Sequence, residues 1–396
     1  MTTKFGTSLV KGKDSLKVGQ EAAEKAMKKA GTKKIDLSVV FASSKYDYKE
    51  VVKGVRSVTN NAPLIGCSSS GEFTEEKTDK ESVVCAVISS DTHKFFSGIG
   101  KGLGKDETKA IKEASCKFPS VVKGYPYFSA ILFIDGLVGK GEESVLGAVE
   151  VLGPNIKFSG GAASDDLKFK ETKVFGNNKV LSDAVSLTLV ASRKPLIIAV
   201  KHGHSPISPP LTVTKAKGNI VYEINNKPAF EVWKEYTRQN AKNIGINVDK
   251  MSETEAIKMF FTQYEAGIST GTEYKIRWLG GTTTTKGPIT FPCAMSKGMV
   301  VRVMESPKQA QIDSARKAAE IALQAAKNTK LAGAIIFDCV CRAVILGDDF
   351  PKAIDEIKNV LKIPIIGFET YGEIAMEIGQ LSGFHNTTTV VLLLPA

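Results

Sequence analysis

The sequence predicts an α/β fold, with α+β as the alternative, in two pseudo-duplicated halves whose alternating helices and strands form layered sheets. Three observations carry that prediction. Helical and strand periodicities alternate almost throughout, the order helix, strand, helix, strand occurs near both ends of the chain, and one twelve-residue segment aligns to another without a gap.

Near the amino terminus the helical spacing of VGQEAAEKAMKKAG (18–31) leads into the apolar strand LSVVFAS (37–43). A helix from about Tyr48 to Asn60 and the strand PLIG follow. Farther along, Ser306, Pro307 and Gln309 form a helix start for QAQIDSARKAAEIALQAAKN. The strand AGAIIFDC, the helix FPKAIDEIKNVLK and the strand IPIIG come next. The segment APLIGCSSSGEF (62–73) then aligns with IPIIGFETYGEI (363–374), with Pro, Ile, both Gly and Glu coinciding, which points to internal duplication. A looser echo, IKFSGGAASDD (156–166), again takes a strand into a glycine turn and then acids.

Between the halves, HGHSPISPPLTV (202–213) holds three prolines, which forbid a central strand or a helix interior. The domain boundary is placed there, giving domains 1–204 and 205–396. Before it, SLTLVAS and PLIIAVKHG read as strands paired with each other around Arg193 and Lys194. After it, LTVTKA and NIVYEIN read as a hairpin through Lys217, Gly218 and Asn219. A helix starts at Pro228, and Ser252 with Glu255 forms a capping box for ETEAIKMFFTQY.

Composition excludes several function classes. A chain of 396 residues, 42% hydrophobic, is long enough for two domains or one duplicated architecture. No run approaches the roughly 18 apolar residues of a membrane span, and MTTKFGTSLVKGKD lacks the apolar stretch of a signal peptide, so a cytoplasmic location without a membrane partner is expected. The six cysteines are spread through the chain and read as reduced thiols. Of the net charge of +11, about half falls in the first 34 residues, and no aromatic residues interleave with a basic stripe. Nucleic acid is therefore not an expected partner.

Gly66 and Gly71 have the spacing of a phosphate-binding loop, and Gly367 and Gly372 repeat it. Such a loop needs Lys and then Ser or Thr, whereas Glu72 and Phe73 follow here, and a carboxylate repels phosphate. Cys67, just past a strand, stands where a nucleophile is presented, but the four histidines lie far from it in sequence and the duplicated position is Phe368. It reads as a small apolar side chain closing the strand. Cys339 and Cys341 fall on one face of a strand, with no second pair at metal-ligand spacing. What remains is a cleft at the carboxyl ends of strands. Its acceptors are Glu72 and Glu373, its hydroxyls Ser68, Ser69, Ser70, Thr370 and Tyr371, and Arg342 brings a fork suited to a carboxylate. Acceptors beside a carboxylate clamp describe an amino-acid-like zwitterion; the alternative is that both acids bond their own turns and Arg342 forms a salt bridge.

These residues carry a family resemblance. Gly66-Cys67-Ser68-Ser69-Ser70-Gly71-Glu72, Phe133-Ile134-Asp135-Gly136-Leu137 and Gly160-Gly161-Ala162-Ala163-Ser164-Asp165-Asp166 follow one another in order. So do Val213-Thr214-Lys215-Ala216, Pro228-Ala229-Phe230, Cys339-Val340-Cys341-Arg342, Ile366-Gly367-Phe368-Glu369-Thr370-Tyr371-Gly372-Glu373 and His385-Asn386. Over nearly its whole length the chain resembles the FIST sensory domain, amino-terminal and carboxy-terminal parts together. The resemblance implies a ligand-sensing module of signal transduction without catalytic activity, with amino acids among the proposed ligands. It also implies an output partner such as a kinase, a cyclase or a chemotaxis component. The ligand-binding residues it suggests are Gly66, Cys67, Ser68, Ser69, Gly71, Glu72, Asp135, Ser164, Asp165, Arg342, Gly367, Thr370, Tyr371, Gly372, Glu373 and Asn386. Some similar proteins bind haem and sense nitric oxide, and His385 is the candidate axial ligand for that alternative; no other cofactor is expected. The position between Cys339 and Arg342 is often glycine-like in the family and is Cys341 here. Two further alternatives are an enzyme using Cys67, or Glu72 with Glu373 as acid and base, and a scaffold whose helix, with Lys25, Lys28 and Lys29, docks an acidic partner.

Overall fold

Local signals place the elements. The strand Leu37–Ser43 is buried at every position, as a strand covered on both faces must be. The helix Ser15–Ala30 starts where the Asp14 side chain accepts the Lys17 N–H, and it stops at Gly31, whose φ of 60° a side chain would disfavour. The computed structural model describes residues 2–251, 259–271, 273–280, 287–291, 293–380 and 382–396.

The unit that the sequence shows near both ends occurs three times. Repeat one contains Thr3–Val10, the helix Ser15–Ala30, Leu37–Ser43, the helix Tyr48–Val58, Leu64–Ser69, the short strand Glu72–Thr74 and Val83–Ser90. Repeat two has the same order from His93–Lys101 to Ala184–Ser192, with Tyr127–Ile134 and Lys157–Ala162 as its parallel pair and Val174–Gly176 as its short strand. Repeat three opens with Ile197–Lys201 and resumes at the helix Lys308–Ala326. It then runs through Leu331–Cys339, the helices Val340–Leu346 and Phe350–Leu361, Ile365–Thr370, Glu373–Met376 and Thr389–Pro395. The echo at 156–166 is the strand exit of repeat two. It is faint in sequence because a long loop separates Ala162 from the short strand at Val174.

Each repeat builds a six-stranded sheet, and each sends its short strand into another repeat's sheet. Glu72–Thr74 of repeat one pairs with Ile365–Thr370 of repeat three, and Glu373–Met376 of repeat three pairs with Lys157–Ala162 of repeat two. Val174–Gly176 of repeat two closes the cycle on Leu64–Ser69 of repeat one. Equivalent residues Phe41, Phe133 and Phe337 meet between the sheets, with ring centroids 5.5 Å and 5.9 Å apart along that series, and Phe368 stacks on Phe41 at 4.2 Å. The interior is therefore apolar and filled.

The strands Ala184–Ser192 and Ile197–Lys201 do not pair with each other as the sequence suggested. Ala184–Ser192 is flanked on both sides, by His93–Lys101 and Tyr127–Ile134, so it has no free edge. Ile197–Lys201 crosses to the third sheet and pairs with Thr389–Pro395. At the proline-rich segment the chain enters a separate sheet, where Leu211–Lys217 and Ile220–Ile224 form the expected hairpin. This inserted module packs around Trp233, Phe230, Phe260 and Phe261 before the chain rejoins repeat three. The capping box at Ser252 and Glu255 lies outside the described residues. Cys339 ends its strand while Cys341 lies in the helix Val340–Leu346, so the two do not share a strand face.

Candidate functional site

The three strand exits interlock beyond the carboxyl ends of their strands. The Ser164 N–H donates to the Ser68 carbonyl (3.0 Å), the Glu369 N–H to the Gly71 carbonyl (2.9 Å) and the Ala162 N–H to the Gly372 carbonyl (2.7 Å). The Ser164 hydroxyl donates to the Glu369 carbonyl at 2.5 Å. The fold thus brings Ser68, Gly71, Ser164, Tyr371 and Gly372 together from three distant stretches of sequence.

Within this frame Glu72 and Glu373 have matching partners. Glu72 accepts from the Ser69 hydroxyl and from the Ser82 N–H (3.1 Å) and hydroxyl (2.6 Å). Glu373 accepts from the Thr370 hydroxyl and from the Thr388 N–H (3.0 Å) and hydroxyl (2.8 Å). Both are fully buried, and burial pushes both carboxyls up to about 8, against the pull of those hydrogen bonds. Each ties a short strand to the start of the strand that closes its repeat. In repeat two Asp135 makes the corresponding tie, accepting from the Thr172 hydroxyl and the N–H groups of Asp183 (2.6 Å) and Leu137 (3.0 Å).

The other residues named from sequence are scattered around this frame. Asp165 accepts the N–H groups of Phe169, Lys170 and Glu171 and the Tyr371 hydroxyl, and so holds its own loop. Arg342 is fully buried against Asp338 (2.8 Å), Ser314 (2.8 Å) and Gln311. Its fork is filled by the chain itself. Cys67 faces the apolar interior, where burial pushes its thiol well above the ordinary range. Gly66 and Gly367 are fixed by close packing: a Cβ at Gly66 would lie 1.8 Å from the Val40 carbonyl oxygen. Asn386 accepts the Trp278 N–H of the inserted module at 3.4 Å. His385 Nε2 lies 3.0 Å from the Ala375 carbonyl, and burial pushes the ring down to about 3.

Beside the interlocked exits lies a cavity of about 260 Å³. Repeat one contributes Ser43, Lys45, Ser70, Lys80 and Glu81, repeat two Asp166, Leu167 and Lys168, and repeat three Val340, Ala343, Val344 and Glu369. Glu369 is only 2% exposed, yet its carboxylate makes no hydrogen bond or ion pair among the described residues. Burial pushes this carboxyl well above its ordinary range, and Lys80 pulls the other way. Glycine at position 71 makes room for it, since a Cβ there would sit 2.2 Å from Glu369 Oε1. Asp166, at φ 56°, accepts from the Ser43 hydroxyl (3.0 Å) and from the Ser44 N–H (2.8 Å) and hydroxyl. The Lys168 ammonium donates to the Ser44 hydroxyl at 2.6 Å, and Phe169 stacks on Tyr371 with centroids 5.0 Å apart.

Sequence reasoning passed over Glu369, Asp166 and Lys80. Glu369 carried a signal, as the lone charged residue of the buried strand IIGFET. A larger cavity of about 630 Å³, lined by Phe118, Tyr127, Leu152 and Ile156 among others, has Lys157 as its charged side chain. That lysine is already paired with Glu377 at 2.8 Å, so the smaller cavity holds the richer chemistry. Among the described residues no cluster of three His, Cys, Asp or Glu is arranged to hold a metal ion.

The FIST N domain model matches residues 36–227 and the FIST C domain model residues 229–376. The chain belongs to the FIST domain family. FIST domains are small-ligand sensory domains of signalling proteins. An uncharacterised protein of Methanocaldococcus jannaschii is 26% identical over 239 residues, 57% of this FIST chain and 46% of that protein. The chain thus spans about half the length of this curated relative. Among solved structures, a cyanuric acid hydrolase from A. caulinodans covers 100% of the chain, and 99% of that hydrolase is covered in turn, at 8% identity and a TM-score of 0.36. A second cyanuric acid hydrolase structure, with 100% coverage of both chains, gives 7% identity and a TM-score of 0.34. Neither likeness bears on the chemistry of the FIST site. No helix among the described residues is long and apolar enough to cross a membrane.

Proposed function

We propose that this FIST protein is a cytoplasmic sensor that binds an amino-acid-like zwitterion in the 260 Å³ cavity and passes its occupancy to a signalling partner such as a kinase, a cyclase or a chemotaxis component. The observation that carries the reading is the Glu369 carboxylate, buried in the cavity wall with no partner among the described residues. A buried carboxyl is costly unless something bonds to it. A ligand ammonium supplies that bond, with Asp166 as a second acceptor, while Lys80 and Lys168 face the ligand carboxylate. Leu167, Val340, Ala343 and Val344 offer an apolar wall for a side chain, and the volume falls below the roughly 300–1,000 Å³ of pockets for drug-sized ligands.

The reading is of binding without turnover. Cys67 faces the interior, and Glu72 and Glu373 spend their lone pairs on Ser82 and Thr388, which leaves no exposed nucleophile and base side by side among them. The contact of His385 with the Ala375 carbonyl likewise favours the zwitterion over haem. A thermal-shift panel of amino acids, with N-acetylated and deaminated analogues as controls, tests the proposal. A ligand at 100 times its Kd adds about 2.7 kcal/mol, so at least one amino acid raises the midpoint and its N-acetyl analogue does not. A panel that moves nothing removes the reading.

A further inference from the structure

A second charged cluster lies away from the cavity, where the strand Tyr274–Arg277 of the inserted module meets segment 382–385 and the helix Gly141–Leu152. Strand alternation puts Lys275 and Arg277 on one face. Lys275 donates to the Ser382 hydroxyl, and Arg277 Nη1 donates to the Phe384 carbonyl at 3.0 Å. Both are nearly withdrawn from solvent, at 8% and 5% exposure.

One carboxylate faces both cations. Glu142 Oε2 lies 3.7 Å from Lys275 Nζ and 3.0 Å from Arg277 Nη2, while Oε1 accepts the Gly383 N–H at 3.0 Å. Glu143, the next acid on that helix, makes no ion pair among the described residues, although its charge reaches Cys293 beside Arg277. Arg277 Nε is a buried donor with no partner among them. Glu142 stands in the first turn of its helix, whose start at Lys140 has no side-chain cap, so the first N–H groups add further positive potential. Cys293 lies against the Arg277 guanidinium. Buried cations in excess of their counter-charges are unfavourable unless another anion joins them.

We propose that this cluster is a binding site for a small oxyanion, a carboxylate or phosphate group of an effector distinct from the cavity ligand, which joins the inserted module to the second repeat. Burial, with Arg277 adding to it and Glu142 opposing, lowers the Lys275 ammonium to about 8, in keeping with a cation short of counter-charge. The test titrates the full chain with inorganic phosphate and, separately, acetate, at ionic strength held constant with chloride, reading the melting midpoint and the fluorescence of Trp278 beside Arg277. At least one anion gives a saturable response beyond chloride, and which one does so separates the two sources. Lys275→Gln removes the surplus charge, leaves Arg277 with Glu142, and weakens the response at least tenfold in a folded protein. Glu142→Gln increases the surplus and tightens it. Glu369→Gln, in the cavity, leaves the anion response unchanged, so the two sites fail or stand separately. A wild-type response no greater than chloride, or Lys275→Gln responding as wild type, overturns the proposal.

Discussion

Glu373 and Glu369 stand four residues apart on the same strand exit, both buried, and they differ in what surrounds the carboxyl group. The Glu373 carboxyl accepts from two threonine hydroxyls and a backbone N–H, whereas the Glu369 carboxylate accepts from no described residue and faces a cavity. Burial alone therefore does not mark a binding residue; the count of partners does. Symmetry sharpens the difference. Glu373 has a counterpart in Glu72, with Ser82 in the place of Thr388, but the positions equivalent to Glu369, two residues past Gly66 and Gly160, are Ser68 and Ala162. Residues that recur hold the repeats together, and the residue that breaks the pattern opens onto the cavity.

The largest effect separates the two acids by stability. Replacing Glu373 with alanine strands the Thr388 N–H and hydroxyl and the Thr370 hydroxyl in the interior. Unpaired buried groups of this kind cost about 1–3 kcal/mol each, so guanidinium unfolding is expected to show a loss of about 3 kcal/mol or more. Glu369→Gln, which strands nothing, stays within about 0.5 kcal/mol of wild type. Equal losses for both variants would erase the distinction.

A smaller effect follows from pH. The folded protein holds Glu72 and Glu373 protonated up to about 8, while the unfolded chain releases those protons near 4.5. Between these values the folded state binds more protons, so stability falls as pH rises and levels off above about 8. The histidines, lowered to about 3 or 4, contribute mainly below pH 7, and Lys275, lowered to about 8, opposes the carboxyls only as it begins to lose its proton, so the carboxyls dominate from pH 7 to 8. The slope is about 1.4 kcal/mol per pH unit for each carboxyl that stays protonated. Glu72→Gln removes one of these contributions and lowers the slope without abolishing it, and unfolding midpoints measured across this window check the sign. A stability that rises from pH 7 to 8 would contradict the assignment. The smallest effect is Lys80→Gln at the cavity mouth, a loss of ligand affinity of up to about fivefold by calorimetry with the midpoint held, since exposed charges contribute about 0–1 kcal/mol.

Alternation of helix and strand periods was readable in the sequence, and so was the recurrence of the exit motif, because Pro, Gly and Glu are demanded by the turn and by the buried tie. The third copy was harder to read because repeat two makes that tie with Asp135 and carries a long loop before Val174. The exchange of short strands between sheets leaves no periodic trace, since a three-residue strand such as Glu72–Thr74 looks the same whichever edge it joins. Recurrence drew the site reading toward Glu72 and Glu373, and its guanidinium fork drew it toward Arg342; their partners Ser82, Thr388 and Asp338 lie 10, 15 and 4 residues away. For Glu369 the sequence offered only a lone charge within a buried strand; the lack of a partner shows once Gly71, distant in sequence, is brought against it.

Calorimetric titration of the wild-type protein and Glu369→Gln with the amino acid that raises the melting midpoint tests the central claim most directly. The comparison predicts saturable binding to the wild type and at least a tenfold weaker affinity for the variant, with the unfolding midpoints of the two proteins equal. Equal affinity for both would contradict it, and would return the cavity to the status of a packing gap.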